Sequence, residues 1–262
     1  MIANPFEYSA PKTLAEALSL LAGGNAKALA GGMSLIPMMK LRLASPEQLV
    51  DLGRIPGLNE ITRNGDSIHV GALATHYEIE SSAVLRGSCP LLAETASKIG
   101  DVQVRNRGTI GGSIAHADPA ADYPAALQAL NAMVVLASAS GERTVAIGDF
   151  LVDTFSTSIQ PGEIVKEVIV PVETAGTSYQ KMLQPASGFA IVGIAARIHK
   201  DGSGRLGVTG VASRAFAIAD PSDLSAIDSA EANGDIHASA AYRKQMAKVY
   251  ARRAIAAAKS RA

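Results

Sequence analysis

The 262-residue chain carries 24 Lys plus Arg against 24 Asp plus Glu, so its formal charge is zero and it offers no electrostatic footprint for nucleic acid or an anionic membrane. Apolar residues make up 48% and charged residues 18%, enough for a real core in one large domain or two to three small ones. With no Trp and 4% aromatics, that core must be aliphatic, with Ala as filler. The single cysteine, Cys89, excludes an internal disulfide and a cluster held by the chain's own thiolates.

In chain order, Thr13 and Glu16 have capping-box spacing and open a helix over 13–23 that ends at Gly23-Gly24. Ala26–Ala30 reads as a short buried strand feeding the turn Gly31-Gly32, followed by a short helix over 35–43 with Pro37 near its start. Leu49–Leu52 and Ser67–Leu73 read as strands, and 75–85 and 90–99 as helices. The central glycine-rich stretch runs from Gly108 to Ala126, and a helix starts within it at Pro119 or Ala120 and runs to Ala129. Met133–Ala137 and Arg143–Ile147 form a hairpin, and Glu163–Val170 is a strand ended by Pro171.

Glu173–Thr177 is small, polar and Gly-containing, a candidate linker. Beyond it come strand-like runs at 178–183, 189–199 and 205–212, then a long Ala- and Arg-rich helix from His237 to Ala258. On that helix Tyr242, Met246, Val249, Tyr250 and Ile255 can share an apolar face. The pattern is α+β. No apolar window reaches the ~18–20 residues of a membrane span. The first residues, MIANPFEYSAPKTL, lack the basic-then-apolar signature of a signal peptide, and one thiol fits a reducing compartment, so the expected location is cytoplasmic.

Two small-residue turns carry the chemistry: Ala30-Gly31-Gly32-Met33-Ser34 and Thr109-Ile110-Gly111-Gly112-Ser113. Glycine lets backbone N–H groups meet an anion closely, and successive N–H groups form a nest. Two such turns, each after an apolar run and each flanked by hydroxyls, suit a pyrophosphate. Asp118 is read as a helix cap, while Asp122 could accept hydrogen bonds from sugar or ribityl hydroxyls. Lys181, on a strand-like run, could sit by an electron-accepting ring or be an ordinary strand lysine. Ser113, His116 and Asp118 make no catalytic triad, and His116 reads as structural. Gly202-Ser203-Gly204-Arg205-Leu206-Gly207 matches a dinucleotide fingerprint but is followed by a strand-like run, so it reads as a hairpin turn. The remaining histidines show no metal spacing, and Cys89 beside Pro90 reads as a core or capping residue.

AGGMS (30–34) paired with TIGGSIAHADPAADYPAAL (109–127) resembles the FAD-binding medium subunit of the molybdenum hydroxylases, the group that includes carbon monoxide dehydrogenase and xanthine dehydrogenase. FEYSAPKTLAEAL, LVDLGRIPGL, GALATHYEIE, EIVKEVIVP and GDIHASAAYRKQMAKVYARRAI extend the likeness over nearly the whole chain. The resemblance implies a two-lobed FAD domain of the vanillyl-alcohol-oxidase (PCMH) type, with lobes at 1–59 and 60–172, and a small C-terminal α+β domain at 173–262. It implies cofactor contacts from Ala30, Gly31, Gly32, Met33, Ser34 and Leu35 on one side and Thr109, Ile110, Gly111, Gly112 and Ser113 on the other. Asp122 would meet cofactor hydroxyls, with Ile164, Val165 and Lys181 near the ring.

Met33 stands where the family often has a histidine, and related flavoenzymes can use a histidine near there for covalent attachment; a thioether cannot form that bond, so FAD is expected to be non-covalent. Ser113 replaces a usual Asn, LQPASGFA replaces an Arg- and Asp-containing run, and 213–236 is shorter than the family pattern. The resemblance also implies that a large molybdopterin subunit and a small 2Fe-2S subunit hold the other centres, in a dimer of heterotrimers. FAD would then pass electrons to an external acceptor. A self-contained flavin oxidase or dehydrogenase, and a scaffold that has lost FAD, are the competing readings.

Overall fold

The computed structural model describes residues 2–262 as three main sheets and a two-stranded ribbon, Leu151–Asp153 with Ser156–Thr157, with helices packed between and over them. The first sheet is parallel: Ala26–Leu29 and Glu7–Ser9 flank the central strand Gln48–Asp51. Helix Leu14–Leu21 closes it, with the Thr13 hydroxyl accepting from the Glu16 amide at 3.2 Å. Ala17, Leu18 and Leu21 pack there with Val50, Leu52, Ile55 and Leu58.

The second sheet is antiparallel, in the order Ile61–Asn64, Ser67–Gly71, Ile164–Pro171, Met133–Ser138, Gly141–Ala146. It and the helices of 76–130 enclose the largest core, which is mostly Leu, Ile, Val and Ala. The expected helix over 75–85 is two helices, His76–Ser81 and Ala83–Ser88. Ser82 leaves helical geometry at ψ 119° and caps the second through the Leu85 amide. Helices Val102–Arg107 and Ile110–His116 and strand Ile61–Asn64 were not evident from periodicity. The helix expected from Pro119 or Ala120 begins only at Tyr123 and ends at Leu130.

The third sheet is an antiparallel meander of Gly176–Leu183, Ala190–Ile198, Gly204–Thr209 and Phe216–Ile218. Its first strand takes in the last two residues of the expected linker: Gly176 and Thr177 are buried, and Glu173 pairs with Arg197 at 2.6 Å. The fingerprint-like Gly202 segment is the turn of this sheet's second hairpin, with Gly202 at φ 88°.

Helix Ala240–Lys259, capped by Ser239, lies across the first two strands. Its buried stripe is Arg243, Ala247, Ala251, Ala254 and Ala258, not the larger residues that the sequence pattern favoured. Small side chains let the helix settle close to the sheet, while Met246, Tyr250 and Ile255 pack along its flanks. The other face of the meander packs on helix Tyr123–Leu130 (Gly207 touches its backbone), so strand Ala190–Ile198 is covered on both faces and reads as a continuous apolar run.

A Cβ at Gly207 would fall on the Ala125 carbonyl. Gly207→Ala should therefore cost about 2–3 kcal/mol by forcing two elements apart. Urea unfolding would show a lower midpoint at unchanged slope; an unaltered midpoint would mean that the contact is soft.

Candidate functional site

The two glycine turns, far apart in sequence, adjoin in space. The strand Ala26–Leu29 delivers Gly31 against the residues just ahead of the second turn. A Cβ on Gly31 would overlap the Arg107 carbonyl, so only glycine allows this backbone-to-backbone approach. A Cβ on Gly112 would lie 3.6 Å from that of Ala30 and 2.8 Å from the Thr109 hydroxyl.

The turns differ in what they offer a ligand. Gly32 takes φ 75°, and the chain then enters helix Leu35–Lys40, with the Ile36 amide donating to the Gly32 carbonyl at 3.0 Å. The N–H groups of Gly31, Gly32, Met33, Ser34 and Leu35 have no acceptor among the described residues. Five consecutive free donors around a left-handed residue form an anion nest. All five residues are half-buried or exposed, hence reachable.

The second stretch is a helix, Ile110–His116, and its donors are engaged within the protein. Ile110 donates to the Ala74 carbonyl at 3.1 Å and Gly111 to that of Ala72 at 2.8 Å. Gly112 donates to the Thr109 hydroxyl at 3.2 Å and Ser113 to the Thr109 carbonyl at 3.0 Å. What faces outward here is small: Gly112 and the half-buried Ser113.

Asp122 lies beyond this helix and is 4% exposed. One oxygen accepts from the Tyr179 hydroxyl at 2.5 Å and the other from the Lys181 ammonium at 2.9 Å. Burial raises the Asp122 pKa, and the Lys181 charge opposes that rise. Lys181 also donates to the Lys98 carbonyl at 2.9 Å, leaving its third N–H without a partner among the described residues. Sequence reasoning selected Asp122 and Lys181 but missed Tyr179. The strand period of two was the available signal, since 179 and 181 share a face.

The loop before Asp122 is fixed by the C-terminal sheet. The Gly210 amide donates to the Pro119 carbonyl at 2.8 Å and the Ala190 amide to that of Ala120 at 3.2 Å. The Thr209 hydroxyl lies 2.8 Å from the carbonyls of Pro119 and Ala121. Asp118 is not a helix cap: it bonds the Ala120 amide at 2.8 Å inside this loop. Ile164 and Val165 are 5% and 6% exposed, and their side chains pack in two different cores.

Two histidines border the site. His116 packs on Phe155 at 5.0 Å, and burial lowers its pKa. His76 lies beneath the second turn, its amide donating to the Gly108 carbonyl at 2.9 Å and its Nδ1 3.2 Å from the Tyr123 hydroxyl. Burial, with a smaller push from Arg105, lowers its pKa to about 4. Cys89 is buried in the core, its thiol pushed up to about 12 by desolvation, which leaves it inert as a nucleophile. Among the described residues no three His, Cys, Asp or Glu side chains gather to hold a metal, and no helix is long and apolar enough to cross a membrane.

His76 is neutral when folded at pH 5–6 but protonates when unfolded, so its contribution is intact above about 6.5 and is lost as pH falls towards 4. The loss approaches ~3 kcal/mol. Denaturation of the wild type and His76→Gln between pH 7 and 4.5 should show a shallower acid decline in the variant; parallel curves would contradict this.

A family model described as FAD binding domain in molybdopterin dehydrogenase matches residues 4–173. The chain is 43% identical over 224 residues to the carbon monoxide dehydrogenase medium chain of Hydrogenophaga pseudoflava, covering 82% of this chain and 78% of that one. It is 36% identical over 283 residues to the 6-hydroxypseudooxynicotine dehydrogenase complex subunit alpha of Paenarthrobacter nicotinovorans, covering 98% and 95%. Among solved structures, a carbon monoxide dehydrogenase from Hydrogenophaga pseudoflava lacking the Mo-pyranopterin moiety of its molybdenum cofactor contains a chain matched with a TM-score of 0.94. The match has 39% identity and covers 100% of this chain and 99% of that one.

Proposed function

The chain belongs to the FAD-binding family of molybdopterin dehydrogenases and is an oxidoreductase subunit of the medium-chain type. From that premise we propose that it binds FAD non-covalently and relays electrons from the 2Fe-2S clusters of a small partner subunit to an external acceptor. A large molybdopterin subunit carries out the substrate chemistry, and the whole is a dimer of heterotrimers in the cytoplasm.

The observation that carries this reading is the run of N–H groups from Gly31 to Leu35 without an acceptor among the described residues, in a turn whose Ala30 adjoins Gly112. A pyrophosphate offers oxygens on several sides, and the nest supplies donors without a formal charge. Ala30, Gly31, Gly32, Met33, Ser34 and Leu35 hold one side of it. Thr109, Ile110, Gly111, Gly112 and Ser113 shape the other, Ile110 and Gly111 by anchoring the turn and Ser113 by its hydroxyl. Met33, a thioether, forms no covalent link to the cofactor.

When bound, FAD supplies a ring that accepts and releases electrons. In this reading the third N–H of Lys181 donates to the ring region, and its positive charge favours added negative charge there. Asp122 holds that ammonium in place and retains lone pairs for a cofactor hydroxyl. Ile164 and Val165 contribute through their backbone, since their side chains are packed in cores. The neighbouring histidines are held neutral by burial near pH 7 and serve structure rather than proton transfer.

An absorption spectrum of the purified chain, before and after chemical reduction, should show flavin bands that bleach, with intact FAD released on denaturation. Gly32→Val should weaken FAD binding roughly 10–100-fold, because a β-branched residue at φ 75° strains the nest. Folded protein that stays flavin-free after reconstitution with FAD and its partner subunits would favour the scaffold reading. Turnover by the isolated chain on its own substrate would favour the self-contained oxidase.

A further inference from the structure

Tyr179 lies outside the residues 4–173 that the family model matches, yet it is among the largest fully buried side chains and its hydroxyl ends on Asp122. The strand places Lys181 two residues on, and the same carboxylate receives both. Room for the phenol comes from Gly193, the cross-strand partner of Lys181, where a Cβ would strike the Tyr179 hydroxyl.

Without Tyr179, one oxygen of a carboxylate that is 4% exposed would have no donor from the chain. The charged form would lose support, and the group would tend to take a proton and release Lys181. The charges around Asp122 are few. Lys181 faces it from the sheet and Asp118 from its own loop, while the Tyr123 hydroxyl is turned away to His76. Glu94, paired with Arg261, accepts from the Tyr179 amide at 3.3 Å and so fixes the strand rather than the phenol.

We infer that Tyr179 is a positioning residue of the cofactor site: its hydroxyl holds and orients the Asp122 carboxylate, and thereby fixes the Lys181 ammonium that the same carboxylate receives. This rests on the reading of Asp122 and Lys181 as part of an FAD site. Tyr179 need not touch the cofactor itself; it acts through the carboxylate.

The test uses the full chain, in its complex where that co-purifies, with FAD as the probe. Tyr179→Phe and Asp122→Asn should each raise the FAD Kd roughly 10-fold. The double variant should lie near the singles rather than at the roughly 100-fold expected for independent effects. The flavin midpoint potential of Tyr179→Phe should depart from that of wild type, more at pH 6 than at pH 8, as Asp122 takes up a proton and Lys181 loses its fixed place. Asp122→Asn should show an offset that does not change between those pH values.

Gly193→Ala, whose Cβ would press on the Tyr179 hydroxyl and also on the Thr209 methyl, should reproduce the Tyr179→Phe behaviour and stands in should that variant not fold. Wild-type affinity and potential in folded Tyr179→Phe, or additive losses in the double variant, would overturn the assignment. Absence of FAD from the wild-type chain after reconstitution would instead overturn the flavin reading beneath it.

Discussion

A carboxylate removed from water costs several kcal/mol unless its lone pairs are met, and Asp122 is almost completely removed. Much of the architecture around the site answers that constraint. The C-terminal sheet supplies a hydroxyl and an ammonium from alternate positions of one strand, and the Lys98 carbonyl takes a further proton of that ammonium. The same sheet fixes the backbone of the preceding loop through Gly210, Ala190 and Thr209. The site is therefore shared between the end of the glycine-rich segment and a sheet that lies more than fifty residues later.

The two glycine turns show how similar sequences acquire different physical roles. Both read as Gly-Gly flanked by hydroxyl residues, and both sit at strand–helix or loop–helix junctions. In the first, around a left-handed glycine, five N–H groups find no acceptor among the described residues. In the second, the turn after strand Ser67–Gly71 and Thr109 accept from those N–H groups, and the small residues serve close packing. The difference lies in what stands beside each turn, namely the Ala72 and Ala74 carbonyls, and local sequence does not reveal it.

Much of the fold was legible in sequence. Strand Gln48–Asp51, the hairpin of 133–146 and the three long strands of the meander were all recognisable from alternation and turn residues. So were the convergence of the two glycine turns, through the family likeness, and the dismissal of the Gly202 fingerprint. Errors came where tertiary packing outweighs periodicity. The C-terminal helix buries alanines because it lies close to its sheet, while its larger residues flank the contact. Helix Val102–Arg107 buries no residue, so no apolar stripe announced it. Nothing beside Tyr179 in sequence marks it, because its partner Asp122 lies far along the chain.

The boundary at which the family model stops, Glu173, does not coincide with a boundary in the forces that hold the molecule together. A segment excised there would keep all of the glycine signature and leave Asp122 a stranded anion, with neither phenol nor ammonium. The unit that inheritance recognises and the unit that electrostatics can leave alone in water are thus different lengths of the same chain. A substitution in the tail sheet is, in that sense, a substitution in the site.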